Sequence, residues 1–424
     1  MREFISNTHI SKDERAIVVG VGLKSEAYTE IKENLVELED LCRAAGADVV
    51  GSLTQVMQAY NPATLIGSGK VDEIKQMVEE SQAKLVILDH QLSGVQSRNL
   101  ETAIGCRVLD RNQLILDIFA QRAQTFEGKL QVELAQLLDQ MPRMVNAWMG
   151  SLSRLGGGIG TRGPGETALE SDRRRIREKV SLIKKKLETV RKNRAQHRSS
   201  RRRHEIPSFA LIGYTNSGKS SLLNRLTGSQ VLAKNMPFAT LDPTTRKIFL
   251  SDGPASVVTD TVGFIRKLPT QLIEAFKATL EESAEADILI HVIDLSSPHM
   301  QRQIETVETL IEEFGWQDKP IIHVFNKVDA AGIEKQFQVR HYPRVFVSAL
   351  TGQGFDQLKA LMTETISGMQ SDVQLYFPRT QEHRIYELSR ETRIIRKEPA
   401  TEGTVCYAQL TPILMNRWRD YLVR

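Results

Sequence analysis

Eight residues constrain this chain more than any other feature. Gly213–Ser220 (GYTNSGKS) matches the spacing G-x-x-x-x-G-K-[ST], with apolar Phe209–Ile212 (FALI) before it as a strand and Ser221–Leu226 after it as a helix. Glycines at both ends let the backbone wrap an anion with its amide groups, and the helix N-terminus adds partial positive charge. A strand, a phosphate loop and a helix in that order call for a parallel α/β sheet around them. Gly213, Tyr214, Thr215, Asn216, Ser217 and Gly218 are expected to cradle phosphates, Lys219 to reach the β- and γ-phosphates, and the Ser220 hydroxyl to ligate Mg²⁺.

Four more segments follow in the order a guanine-nucleotide site requires. Thr240, within Phe238, Ala239, Thr240, Leu241 and Asp242 (FATLD), can bring a second hydroxyl to the metal. Asp260, Thr261, Val262 and Gly263 (DTVG) follow the apolar run Ala255–Thr259; Asp260 belongs near the metal through water, and the Gly263 amide can donate to the γ-phosphate. Asn326, Lys327, Val328 and Asp329 (NKVD) follow Ile321–Phe325. The Asp329 carboxylate can accept both the N1–H and the exocyclic amine of guanine, a donor pair that adenine lacks. Ser348, Ala349 and Leu350 (SAL), after the strand Arg344–Val347, would add a backbone donor for the guanine oxygen. Together these segments specify a GTP-binding domain at residues 205–368, with Lys219 and Gly263 as catalytic candidates and Ser220 and Thr240 as metal ligands.

The residue after Gly263 is Phe264, where many regulatory GTPases carry a glutamine that orients the attacking water. Phenylalanine neither donates nor accepts, so intrinsic hydrolysis is expected to be slow and to depend on a group supplied from elsewhere. Asn216 stands where potassium-activated GTPases resemble one another in carrying asparagine, which makes K⁺ a candidate second cation.

Upstream, residues 1–125 alternate strands with helices. Arg15–Val21, Ala47–Gly51, Lys84–Leu88 and Cys106–Leu109 read as strands; Glu30–Ala45, Lys70–Gln82 and Val95–Ile104 read as helices, with Gly46 and Gly105 at C-cap positions. This predicts a parallel α/β domain. Ile66–Lys70 (IGSGK) opens one helix, either as a plain turn or as a second anion site, although no Ser or Thr follows the lysine.

Residues 126–204 change character. Leu130, Leu134, Leu137 and Met141 form one helical seam; Leu169, Ile176, Val180, Ile183, Leu187 and Val190 form another. Two narrow seams predict an antiparallel helical hairpin, with Pro142 kinking or ending the first arm. Gly156–Glu166 (GGGIGTRGPGE) joins the arms with six glycines, either as a flexible connector or as a backbone that approaches a partner closely, Arg162 being available for phosphate.

Charge sharpens that choice. Residues 173–203 hold 15 Lys/Arg against 2 Asp/Glu, or +13, while the remainder holds 41 against 50, or −9; the net +4 conceals a single basic arm. Such a face suits salt-sensitive grip on structured RNA, and without interleaved aromatics it does not imply stacking on single strands. Its narrow Leu/Ile/Val seams argue against membrane insertion, leaving peripheral association with an anionic membrane as the alternative.

No apolar run reaches the 18 or so residues needed to span a bilayer, and the opening MREFISNTHISKDE lacks the apolar core of a signal peptide, so a cytoplasmic protein is expected. Cys42, Cys106 and Cys406 show neither disulfide nor zinc spacing. Residues 369–424 read as a small C-terminal domain, a short α/β appendage ending in a helix near Leu414–Leu422.

The GTP motifs, together with Asp110–Ala123 (DRNQLILDIFAQRA), GGGIGTRGPGE, Phe238–Arg246 (FATLDPTTR) and the apolar Phe264 after DTVG, resemble the HflX family of translational GTPases over essentially the whole chain. The resemblance implies a monomeric GTPase that binds the large (50S) ribosomal subunit and its RNA and splits or rescues stalled ribosomes under stress, its hairpin loop reaching toward the peptidyl-transferase region. The alternative is a GTPase that regulates ribosome assembly or another RNA-related activity; no second catalytic constellation is visible.

Overall fold

In the computed structural model, the described residues are 9–152, 164–203, 206–228, 236–238, 241–250, 255–267, 269, 272, 275, 283–369, 371–392, 394–410 and 412–423. The chain divides into two compact units. One comprises Met1–Val190 with Leu232–Pro243 and Val262–Glu281; the other comprises Arg191–Val231, Thr244–Thr261 and Glu282–Arg424.

The first unit contains β1 (Arg15–Leu23), α1 (Tyr28–Ala45), β2 (Asp48–Met57), α2 (Ser68–Ser81), β3 (Leu85–Leu88), α3 (Gly94–Ile104), β4 (Arg107–Asp110) and α4 (Arg111–Arg122). The strands are all parallel, in the order β2-β1-β3-β4. Alternation along β1 divides the burial between two layers. Ile17, Val19 and Val21 join Val71, Ile74 and Val78 of α2 and Leu100 and Ile104 of α3 in one core. Ala16 and Val18 are also fully buried, as are Leu38 and Leu41 of α1 and Leu114 and Ile118 of α4. Gly46 and Gly105 end α1 and α3 at φ +93° and +85°, a conformation glycine adopts without a Cβ penalty. Asp110 and Gln113 form the capping box of α4.

The hairpin follows as α5 (Phe126–Leu152) and α6 (Pro164–Arg203). Helix α5 continues through Pro142, which therefore does not end the arm; only the one backbone bond that proline cannot donate is lost. Leu130, Leu134, Leu137, Ile176, Val180 and Ile183 are buried, and Lys179 reaches Glu133 across the two helices at 2.6 Å. Arg143 pins α5 to the sheet by donating to Asp110 at 2.7 Å and to Asp139 at 2.8 Å. On α6, Arg174, Arg175, Arg177, Lys184, Lys185 and Lys186 are exposed, so the basic face points outward from the apolar seam. The glycine-rich connection, Arg162 included, lies outside the described residues up to residue 163.

The second unit carries β5 (Ser208–Ile212), α7 (Lys219–Thr227), β6 (Thr244–Phe249), β7 (Ala255–Asp260), β8 (Ile288–Asp294), α8 (Met300–Glu313), β9 (Ile321–Asn326), α9 (Ile333–Gln338), β10 (Arg344–Phe346) and α10 (Phe355–Gly368). Its sheet runs β10-β9-β8-β5-β7-β6, parallel except for the antiparallel edge strand β6. The C-terminal part is a small mixed unit of strands and helices. Its strands β11 (Ser371–Pro378), β12 (Ile394–Ala400) and β13 (Gly403–Leu410) form an antiparallel sheet in the order β11-β13-β12. The tight Thr401–Glu402 link makes β12 and β13 a hairpin. α11 (Arg384–Glu391) and α12 (Pro412–Arg417) complete it, and Leu388, Leu414 and Trp418 cover Leu375, Phe377 and Cys406. The final α-helix ends earlier than expected, followed by a 3-10 turn at Arg419–Tyr421.

Candidate nucleotide site

The phosphate loop spans the gap between β5 and α7. Three of its residues take the left-handed backbone region: Gly213 at φ +147°, Asn216 at +61° and Gly218 at +93°. The glycines are required twice over. A Cβ at Gly213 would strike the Val292 carbonyl and one at Gly218 the Asn326 side-chain amide, so the loop sits against its neighbours with no room for larger residues.

Lys219 is buried, and its Nζ donates to the Gly213 and Tyr214 carbonyls at 3.0 and 2.9 Å. Burial lowers its pKa to about 8, only partly opposed by the charge of Asp260. A cation held in that condition gains most from an anion placed beside it. The Ser220 hydroxyl donates to Asp260 Oδ2 at 2.6 Å, which puts a hydroxyl and a carboxylate side by side. This hard oxygen pair fits Mg²⁺, which is bound through few protein ligands plus phosphate oxygens. The Ser217 hydroxyl is buried with no hydrogen-bond partner among the described residues. Thr261 Oγ1 donates to the Leu211 carbonyl at 2.6 Å, fastening the end of β7 to β5.

Asn326 ties three of the segments together. Its Nδ2 donates to the Ser217 carbonyl at 2.9 Å and its Oδ1 accepts the Ala349 amide at 3.0 Å. Val328 is buried and its amide reaches the Val347 carbonyl at 3.2 Å, while Lys327, at φ +64°, donates to Asp294 at 2.7 Å. The Asp329 side chain is exposed beside this framework, and Leu350 is 80 % exposed. Ser348 Oγ accepts the Thr351 amide at 3.0 Å. The structure thus joins the loop, NKVD and SAL through a single buried amide side chain.

The remaining candidates belong to the first unit. Ala239 and Thr240 lie outside the described residues. Phe238 is buried, its ring edge-on to Phe119 at 4.6 Å, and Leu241 is buried too. The Asp242 carboxylate accepts the Gln124 and Thr125 amides at 3.1 and 3.0 Å. Val262 and Phe264 are buried. Just beyond Gly263, Arg266 pairs with Glu30, its carbonyl accepts from Arg111 at 3.2 Å, and Lys267 stands 3.4 Å from Asp89. Arg111 is itself buried between Asp89 and Glu37. The placement of Glu30, Asp89, Thr125 and Gly128 is not legible in the sequence, because no local pattern says that they face segments more than a hundred residues away.

Residues 32–120 match a GTP-binding GTPase N-terminal family model, residues 122–201 a GTP-binding GTPase middle region, and residues 208–327 a 50S ribosome-binding GTPase. GTPase HflX of Caldanaerobacter subterraneus subsp. tengcongensis is 44 % identical over 410 residues, covering 97 % of this chain and 94 % of that protein. GTPase HflX of Escherichia coli K12 is 45 % identical over 395 residues, covering 91 % of each. Among solved structures, SsGBP in complex with GDP is 26 % identical, with a TM-score of 0.48, and the match covers 84 % of this chain and 99 % of that one. Identity of this extent along nearly the whole length, on top of the joined GTP motifs, places the chain in the HflX family of GTPases.

Proposed function

We propose that the protein binds GTP, hydrolyses it to GDP and phosphate, and uses the nucleotide state to govern its grip on the large ribosomal subunit, splitting or rescuing stalled ribosomes under stress. The observation that carries the nucleotide reading is the Asn326 junction, which holds the phosphate loop and both guanine-facing segments in one preformed frame. The domain division that goes with it assigns residues 1–125, 126–204, 205–368 and 369–424 to the N-terminal, hairpin, GTPase and C-terminal domains.

In this reading the loop amides of Gly213–Gly218 wrap the phosphates and Lys219 neutralises charge that grows on the β–γ bridge during in-line attack by water. Ser220 and Thr240, with Asp260 through water, would hold Mg²⁺, which supplies further neutralisation of the phosphates. The Gly263 amide donates to the γ-phosphate, and Asp329 selects guanine by accepting its paired donors. Phe264 brings no group that could orient the water, so acceleration comes from a partner, from switch reorganisation or from K⁺ beside Asn216. Equal rates in KCl and NaCl at matched ionic strength would remove the potassium route.

The ribosomal half of the proposal rests on the outward basic face of α6 and on the 50S-binding family model. Among the described residues no helix is long and apolar enough to cross a membrane. The deciding experiment is sedimentation of 70S ribosomes with the protein and a non-hydrolysable GTP analogue. Subunits should appear in place of 70S particles; particles that stay intact at saturating protein would sink the splitting role.

A further inference from the structure

The loop that carries Ser348, Ala349 and Leu350 runs from β10 to α10 and closes on itself. The Ser348 amide donates to the Gln353 carbonyl at 3.0 Å and the Gly352 amide to the Ser348 carbonyl at 2.8 Å, while Ser348 Oγ accepts the Thr351 amide at 3.0 Å. Two side chains from elsewhere in the second unit hold this small ring. Asn326 Oδ1 accepts the Ala349 amide on one side. On the other, Arg225 of α7 donates from Nη2 to the Thr351 carbonyl at 2.9 Å, across a separation of 126 residues. Gly352 gives an independent sign that this second hold is built. Its φ of +90° already favours glycine, and a Cβ there would meet Nε, Cζ and Nη2 of Arg225, so the guanidinium lies against bare backbone. A cation also suits the last turn of α7, where the helix presents partial negative charge, and it makes the bond to the carbonyl a charge-assisted one.

Both ends of this contact bear on a nucleotide. Helix α7 opens with Lys219 and Ser220, and Arg225 stands on the same rigid element, about 9 Å further along its axis. Leu350, between Ala349 and Thr351, is exposed, so its side chain does not anchor the ring by apolar packing. The contact proposed for this loop is a backbone donor to the guanine oxygen, and such a donor is only as well aimed as the loop that carries it, because a hydrogen bond weakens steeply with misalignment. We infer that Arg225 is a positioning residue for guanine recognition: it fixes the Ser348–Leu350 loop to the helix that begins at the phosphates, and so sets how tightly the oxygen of the base is held. The inference rests on the reading of that loop as the donor to the guanine oxygen. Without the guanidinium, the hold from outside the ring falls to Asn326, on its Ala349 side.

Equilibrium binding of GDP and of 6-thio-GDP to the full-length protein tests this. The two ligands share their phosphates, the N1–H and the exocyclic amine, but sulfur is a weak acceptor, so the bond that Arg225 aligns is worth less in 6-thio-GDP. Arg225→Ala should weaken GDP about fivefold, which is about 1 kcal/mol and the ordinary worth of one hydrogen bond. The same substitution should weaken 6-thio-GDP by less than about twofold. Arg225 is exposed, so the variant should fold, and retained binding of 6-thio-GDP reports that it has. Equal losses for the two ligands would mark a merely structural contact and overturn the inference, as would a GDP affinity unchanged by Arg225→Ala. A wild type that binds neither ligand overturns the GTP reading itself, and the inference with it.

Discussion

Around the phosphate loop, Lys219, Asn326 and Ser220 find their partners within the second unit. Lys219 leans on two carbonyls of its own loop, Asn326 binds Ser217 and Ala349, and Ser220 meets Asp260. The segments following Thr240 and Gly263 lie in the first unit and are held there across long sequence separations: the Asp242 carboxylate accepts amides at the start of α5, Arg266 pairs with Glu30 and Lys267 with Asp89. Short-range bonds inside a close-packed frame make a site that exists before its ligand arrives. The partly exposed pairs among these contacts can be exchanged for others at small cost, whereas the buried Asp89 cannot.

That contrast can be broken at its stiff end with the largest effect. Lys219→Ala removes the cation from a buried site and should lower GTP hydrolysis roughly 10³-fold, the upper range for one preorganised charge-stabilising group; a single-turnover assay reads it, and a loss under tenfold would contradict the role. At the other end Asp89 is 1 % exposed and shared by Arg111 and Lys267. Asp89→Asn leaves the buried Arg111 with a weakened partner set and should destabilise the N-terminal unit by about 3 kcal/mol. Chemical denaturation would measure this, and the Asn326 junction, which shares none of these partners, should still bind GDP.

Acid should separate the two units by another route. His291 on β8 is fully buried, and its ring lies 5.8 Å from that of His323, itself 5.2 Å from His341. Burial, then the neighbouring histidines and Lys219, hold His291 well below its usual range; burial and then His341 bring His323 down to about 4, against the opposing Pro343 carbonyl. Because the folded values lie below the unfolded one near 6.5, the neutral rings favour the native state above that pH, and this contribution is lost as pH falls from about 6.5 toward 4. The denaturation midpoint of the second unit should drop across that window, and His323→Gln should flatten the drop. A slope unchanged by the substitution would count against the histidine row.

The smallest effect sharpens the view of the loop itself. With its pKa near 8, Lys219 is about half protonated at pH 8 and should become fully protonated beside phosphate. Nucleotide binding at pH 8 should therefore take up roughly half a proton, seen by calorimetry in buffers of different ionisation enthalpy. No buffer dependence would mean that the lysine is already charged.

Much of the fold was legible because its signals are local. GYTNSGKS carries the backbone freedom its own turn requires, Gly46 and Gly105 cap the helices they follow, and β-branched runs mark the strands of both sheets. The hairpin seams were readable for the same reason, their period being set by each helix alone. Of the two outcomes expected at Pro142, ending the arm does not occur: Leu134 and Leu137 are buried and Arg143 ties the helix to Asp110. The strand direction of the C-terminal sheet was not legible, since alternation in burial does not say whether neighbouring strands run parallel or antiparallel.

The sequence by itself determined the chemistry: which residues can wrap phosphate, accept from guanine and face a polyanion, because those abilities reside in residue type and short spacing. Only the tertiary structure decided what holds the segments that follow Thr240 and Gly263. Lys267 meets Asp89, and Asp242 meets Thr125, across separations of 178 and 117 residues. Such contacts are selected by the folded surface as a whole, through burial and electrostatics that no local pattern of residues records.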